Sequence, residues 1–339
     1  MSNRKFLNLF SKRNVFNAVV LLGLILIVVI LSLSRGSVEL RNEEILKAFL
    51  RQGDITNQII FWELRLPRLI ASLLVGSALG MSGALLQGML RNGLASPYLL
   101  GISAGSGLVI VLLISMGLWL SWIPIAAWIG AIVTTLIVYF LAKSGSSISV
   151  ERLILAGVAL SSLFGSIQSM LLLQTEDGRV QAALTWLIGS LNSRGWNEIN
   201  LAGPPIIFAL VMGLLLSRQL NLLGLGDELS VGLGNSLFRS RCLIGASATL
   251  LAASSVSVGG LIGFVGLIVP HAVRFLFGTD YRIVLPFSAL LGAFTLSAAD
   301  LIARSGSVEL PVGIITSLIG APIFIFLLYR RQKNLSSWR

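Results

Sequence analysis

Apolar stretches of about 20 residues, the length that crosses the hydrocarbon core of a bilayer, recur from Val15 to the C-terminus of this 339-residue chain. They fall at 15–33, 66–89, 97–117, 121–141, 152–173, 199–217, 242–258, 260–277, 283–303 and 311–329. The chain is 55% hydrophobic and 12% charged, whereas soluble domains carry roughly 25% charged residues. The expected fold is therefore an all-α polytopic membrane protein of ten spans, with both termini on one side. The first stretch reads as a span and not a cleaved leader, because its apolar run exceeds an h-region and no A-x-A site follows. One transmembrane unit, 15–331, is expected between an N-terminal tail, 1–14, and a C-terminal tail, 332–339.

Charge orients these spans. With both termini cytoplasmic, the inner segments hold 16 of the 25 basic residues but only four acids, Glu151, Asp227, Glu228 and Asp280. The outer side holds nine basic and ten acidic residues, so the Lys/Arg excess lies inside, as membrane topology requires. The net charge of +11 is thus a topology signal, and no basic stripe on a soluble domain points to nucleic acid. One cysteine, Cys242, excludes an internal disulfide. A single histidine, His271, with no cluster of Cys or carboxylates, leaves no expected metal or haem site.

Several polar features stand out against the apolar background. Residues 42–51, NEEILKAFLR, predict a short amphipathic helix on the outer surface, capped by Asn42, with Ile45, Leu46, Phe49 and Leu50 on one face. Arg65 and Arg68 flank Pro67, which suits the first turn of a helix, and Arg304 ends the ninth span. These arginines fit either interfacial snorkelling or a docking patch for an acidic partner, gripped by bidentate guanidinium–carboxylate contacts. Gly76 with Gly80, and Gly101 with Gly105, have the four-residue spacing that lets helices approach closely.

Ser162, Ser166 and Ser169, with Gln168 beside them, put polar groups on the fifth span; they face either a neighbouring helix or a wet pathway. Gln174 to Asn197 forms an irregular outer segment, in which Trp186 and Trp196 fit an interfacial belt and a short helix could plug a pore. The longest inner connection, 218–241, predicts two short helices. There Gly226–Asp227–Glu228 starts one, and Gly232 and Gly234 end it. Exposed Leu222, Leu223, Leu225, Leu229 and Leu233 in that loop call for a protein partner. Four glycines and Pro270 predict a kink or break in the eighth span, and His271 beside the proline reads as a packing or capping residue.

None of the five lysines lies in a G-x-x-x-x-G-K-[ST] phosphate loop, so no ATP hydrolysis by that route is expected of this chain. Buried carboxylates are scarce, with Asp300 and Glu151 at span ends, which disfavours an ion-coupled carrier. The energy source expected is a separate subunit.

Residues 62–108 and 222–329 also carry motifs in a fixed order: RLPRLIASLLVGSALGMSGALLQGMLRNGLASP, GFVGLIVPHAVR, GTDYRIVLP, LSAADLIAR and ELPVGIITSLIGAPIFIFLLYRR. In these the chain resembles the FecCD-type permeases, membrane subunits of ATP-driven importers for iron–siderophore complexes, haem and vitamin B12. The resemblance implies a two-fold dimer, homo- or heteromeric, with the pathway at its interface. It also implies two ATPase subunits, which hold ATP and Mg and bind beneath, and an extracytoplasmic substrate-binding protein above; this chain itself would carry no cofactor and no catalytic residue. By position, Arg65, Arg68 and Arg304 resemble the arginines that meet the binding protein. Leu222, Leu225, Gly226, Asp227, Glu228, Ser230, Leu233 and Gly234 resemble the coupling helices seated on the ATPase. The chain departs from the family at Gly93, where proline is usual and a looser inner turn is expected, and at Ser230, where alanine is usual.

Overall fold

The computed structural model of the protein describes residues 12–36, 40–98, 101–118, 122–144, 147–148, 150–306 and 308–336. Most of the expected N-terminal tail and the last three residues lie outside them. The described chain is helical throughout, apart from a two-residue ladder that pairs β1 (Lys143–Ser144) with β2 (Ser147–Ile148).

The helices are α1 (Lys12–Ser34), α2 (Asn42–Phe49), α3 (Ile55–Ile59), α4 (Leu66–Leu90), α5 (Ile102–Ser115), α6 (Ile123–Ala142), α7 (Val150–Leu173) and α8 (Asp177–Ile188). They continue as α9 (Trp196–Leu215), α10 (Ser217–Leu223), α11 (Asp227–Gly232), α12 (Leu237–Gly259), α13 (Val265–Phe277), α14 (Tyr281–Ala303) and α15 (Val312–Ser336). Seven helical runs are long and apolar enough to cross a membrane, and three apolar helices are shorter: Ile102–Ser115, Val265–Phe277 and Val312–Phe326.

Two of the shortened helices have a local cause. Gly101 takes a left-handed conformation at the start of α5 (φ 75°), so it opens that helix and does not share a helical face with Gly105, contrary to the sequence reading. Phe264 is also left-handed (φ 65°) just before α13. The eighth apolar stretch therefore breaks at Gly260–Phe264, and Pro270 sits inside α13. The glycines, not the proline, set the break.

At the N-terminal end of α4 the sequence reading also needs correction. Pro67 does fall in the first turn of α4, but it does not begin the helical run: the chain is already helical from Ile55 and passes through a π-helical turn, Ile60–Arg65, before continuing as α4. A proline inside a helix has no N–H to give and crowds the carbonyl four residues back. A wider π turn accommodates both defects and rotates the side chains preceding it.

α4 is the central post, packed against α14, α12, α13 and α9. It is buried along most of its length because glycines remove the side chains that would separate it from its neighbours. A Cβ on Gly76 would overlap the backbone of Gly292 in α14, and one on Gly83 would overlap Gly266 in α13. Backbone contact of this kind is how helices gain packing energy where lipid offers no hydrophobic drive. A second cluster, built on Ile110, Val111, Ile114, Ala127 and Ala183, seats α8 against α5. The segment read as irregular thus contains a twelve-residue helix.

α1 and α7 bury little, and long apolar side chains such as Phe16, Val19, Leu155 and Leu173 face outward. Such faces are stable against lipid or another membrane subunit. α2 begins after Arg41, whose backbone N–H donates to the Glu44 carboxylate at 2.8 Å. Asn42 is therefore the first helical residue and not the cap. Of its proposed apolar face, Leu46, Phe49 and Leu50 stay exposed. Phe49 stacks on Trp62 at 6.1 Å between centroids.

Candidate functional site

The charged side chains singled out in the sequence collect at the two ends of the bundle. At one end, the π turn, the α8–α9 loop and the α14–α15 loop enclose a cleft of about 700 Å³ lined by Arg65, Arg68, Arg194, Arg304, Glu63 and Glu309 among others. The structure brings all three sequence-predicted arginines together here, but their guanidiniums are engaged within the chain. Arg65 donates from Nη1 to the carbonyls of Leu33 (2.6 Å) and Ser34 (2.9 Å), and Arg304 donates to the Ser32 carbonyl (3.0 Å) and hydroxyl. The last turn of any helix leaves carbonyls without intrahelical partners. Two cations satisfy them at the end of α1, where the helix dipole also favours positive charge.

Arg68 grips Asp300 with Nε and Nη2, at 3.0 and 2.8 Å, and extends Nη1 to Glu309. Asp300 is only 1% exposed and also lies 3.5 Å from Arg304 Nε. A carboxylate so buried is tolerated because it is paired and hydrogen-bonded. Glu309 is 35% exposed, so its contact with Arg68 is the outermost one in the network.

Sequence reasoning missed Arg194. It lies over the Trp186 ring with Cζ 4.3 Å from the centroid, and its Nε finds no hydrogen-bond partner among the described residues. Burial lowers its pKa from the ordinary arginine value, and Glu198 opposes that shift. The available signal was an arginine in the SRGW sequence near two tryptophans. Trp196 is likewise a packing residue, donating from Nε1 to the Trp62 carbonyl at 2.9 Å.

At the other end, α10 and α11 form the two short helices expected of segment 218–241. Gly226 (φ 105°) and Gly234 (φ 80°) adopt backbone conformations that suit glycine, and they bracket α11. Leu225, Leu229, Val231 and Leu233 project outward. Leu222 is partly buried and Leu223 is packed in the core, which corrects their reading as exposed. Asp227 faces back into the protein: its carboxylate accepts two bonds from Arg241 Nη2 (2.9 and 3.0 Å) and lies 3.5 Å from Arg91 at the end of α4.

Ser230 is fully buried and accepts from Asn235 Nδ2 at 2.8 Å, while Ser240 Oγ donates to the same asparagine at 2.6 Å. A hydroxyl in place of the usual alanine is thus accommodated by a satisfied chain. Gly93 lies in a turn held by bonds from Ala95 and Leu94 to Asn92, against the expected loosening. A Cβ there would approach His271 Cε1 to 2.8 Å. His271 Nδ1 lies 3.4 Å from both the Leu267 carbonyl and Arg274 Nη2.

On α7 the four predicted polar residues divide. Ser162, Ser166 and Ser169 are exposed, and the last two donate to carbonyls one turn back in their own helix. Gln168 points the other way, is buried and donates to the Ala104 carbonyl of α5 at 3.0 Å. It locks α7 to α5 and leaves the serine stripe.

A bundle with glycine-mediated helix contacts, exposed apolar helices and a charged cluster at each end defines a polytopic membrane protein. The FecCD transport family matches residues 24–330, and the chain belongs to that family: it is a permease of the ABC-importer class. The cobalamin import system permease protein BtuC of Halobacterium salinarum is 40% identical, covering 82% of this chain and 75% of its own length. The iron(3+)-hydroxamate import system permease protein FhuG of Bacillus subtilis is 36% identical, covering 91% and 94%. A solved metal-chelate type ABC transporter in an inward-facing conformation superposes with a TM-score of 0.83 at 32% identity, covering 91% of this chain and 97% of that one.

Proposed function

We propose that the protein is the membrane subunit of an importer for an iron–siderophore complex in a bacterial cytoplasmic membrane. It would have ten spans and cytoplasmic termini, and would work as a two-fold dimer. The observation that carries this reading is the end-to-end family match combined with two specialised ends: an arginine cleft and a pair of short apolar helices. The cleft end faces out and receives acidic side chains of a substrate-binding protein. The exposed Leu225, Leu229, Val231 and Leu233 of the other end seat on an ATPase subunit that holds ATP and Mg.

ATP-driven closure of two such subunits pushes on α11, and the dimer interface opens on one side as it closes on the other. The exposed serines of α7 suit the wall of that path, since hydroxyls already bonded to their own helix bind cargo weakly. Tight binding would trap the cargo. The FhuG relative supports iron–siderophore cargo, while the BtuC relative, at the higher identity, supports cobalamin as the alternative. Iron(III) would cross inside its chelator.

Uptake of labelled iron as several ferric siderophores, with labelled cobalamin and haem alongside, tests this in cells with and without the gene. Loss of siderophore uptake alone is expected. Intact iron uptake with lost cobalamin or haem uptake would overturn the cargo assignment and leave the architecture standing. Uptake that a protonophore abolishes and vanadate does not would point to an ion-coupled carrier.

A further inference from the structure

Beneath the end of α4 lies a second polar cavity of about 370 Å³, lined by Gln87, Arg91, His271, Arg274 and Tyr281, with Gly88, Gly93 and Gly224 completing its wall. Two of its groups are guanidiniums, and between them they have only a share of one carboxylate. Arg274 makes no ion pair with any carboxylate among the described residues; its side chain meets neutral groups, Gln87 Oε1, His271 Nδ1 and the Tyr281 hydroxyl. Arg91 pairs with Asp227 at 3.5 Å, but shares that carboxylate with Arg241 at 2.9 Å, so two guanidiniums divide one negative charge. The other nearby acid, Asp280, accepts from Asn221 Nδ2 and the Arg282 backbone N–H on one oxygen, at 2.7 and 3.0 Å, and does not line the cavity.

Glycines let the aromatic groups of the wall approach the end of α4. A Cβ on Gly88 would meet the Tyr281 hydroxyl at 2.7 Å, and one on Gly93 would meet His271; the two glycines let that hydroxyl and ring pack close there, where Tyr281 is hydrogen-bonded to Arg274. Arg91 holds a left-handed backbone (φ 49°, ψ 31°) at the helix end where glycine is the usual residue. Keeping arginine at a strained position fits a side chain needed in the cavity.

We infer that this cavity is a binding site for a phosphate group, held by Arg91 and Arg274 with His271 and Tyr281 at its edge. Paired guanidiniums match the geometry of phosphate oxygens. Basic pockets between membrane helices characteristically take lipid head groups. The phosphate comes either from an anionic phospholipid of the adjoining leaflet or from free inorganic phosphate, and one experiment separates them.

The full-length permease is reconstituted in nanodiscs of phosphatidylglycerol or of phosphatidylcholine, then extracted and weighed by native mass spectrometry for retained lipid. Inorganic phosphate binding is titrated in parallel. Selective retention of phosphatidylglycerol, reduced at least about tenfold in the Arg91→Gln/Arg274→Gln double variant, assigns the site to lipid. Saturable phosphate binding lost in the same variant, without lipid retention, assigns it to the free ion. Gly224→Leu provides a second variant should the double variant fail to fold, since a Cβ there meets only carbonyls of its own helix at 3.4 and 3.5 Å. It fills the wall while keeping every charge, and is expected to reduce binding as well. Binding of either anion that is absent in the wild type, or unchanged in the folded variants, overturns the assignment.

Discussion

Asp227, the first residue of α11, turns away from the exposed leucines of its own helix and grips Arg241 at the start of α12, with oxygens 2.9 and 3.0 Å from Nη2. It thereby ties the short helix to two long ones, since Arg91 at the end of α4 lies 3.5 Å away. Under the proposed coupling, a push on α11 would pass to the central post through that carboxylate as well as through apolar contact.

Asp227→Asn is therefore expected to uncouple ATP hydrolysis from transport. Partly exposed ion pairs contribute on the order of 1 kcal/mol, so the ATPase should still bind while transport per ATP falls severalfold. The Asp227→Arg/Arg241→Asp exchange should recover part of it. Unchanged transport per ATP in Asp227→Asn would falsify the coupling role.

In the arginine cleft, Glu309 occupies Arg68 as an acidic partner would. Glu309→Gln should strengthen binding of the substrate-binding protein by roughly two- to tenfold, measured by biolayer interferometry on nanodisc-held transporter at low salt. Arg194→Glu should weaken it without disturbing the end of α1, whereas Arg65→Glu should also lower thermal stability. Equal affinities for wild type and Arg194→Glu would remove Arg194 from the docking surface.

Gly83→Ala places a methyl group into the Gly266 backbone. The helices must separate, at a cost of about 1–3 kcal/mol or more for overpacking. A lowered unfolding temperature in detergent is expected. Gly23→Ala, where a Cβ meets nothing within 4 Å, should be neutral in the same assay.

The two faces of α7 predict opposite labelling. In a Cys242→Ala background, Ser166→Cys should react with a polar maleimide during transport and should inhibit uptake once labelled. Gln168→Cys should react slowly and cost about 1 kcal/mol of stability through the lost bond to Ala104. Equal reactivity at both positions would exclude a pathway lined by one face.

Much of this was legible before any coordinates. The apolar stretches, the two short helices between 218 and 241, and the bracketing glycines of α11 are local properties, set by length, periodicity and backbone freedom within a few residues. Where local signals competed, the reading failed. Pro67 does sit in the first turn of α4, but a sequence cannot show that a π turn will join it to a helix begun at Ile55. Gln168 looked like part of a serine stripe because its bond to Ala104 depends on how α7 lies on α5.

The sequence by itself determined that the protein spans a membrane, roughly where it does so, and which residues at its ends carry charge. Burying apolar segments in lipid is dictated by composition alone. Only the tertiary structure decided what those charges do. Arg68 and Asp300 are 232 positions apart, and Arg274 meets Gln87 across 187. Whether a guanidinium caps a helix, pairs with a carboxylate or is left facing a cavity depends on distances that no local pattern encodes.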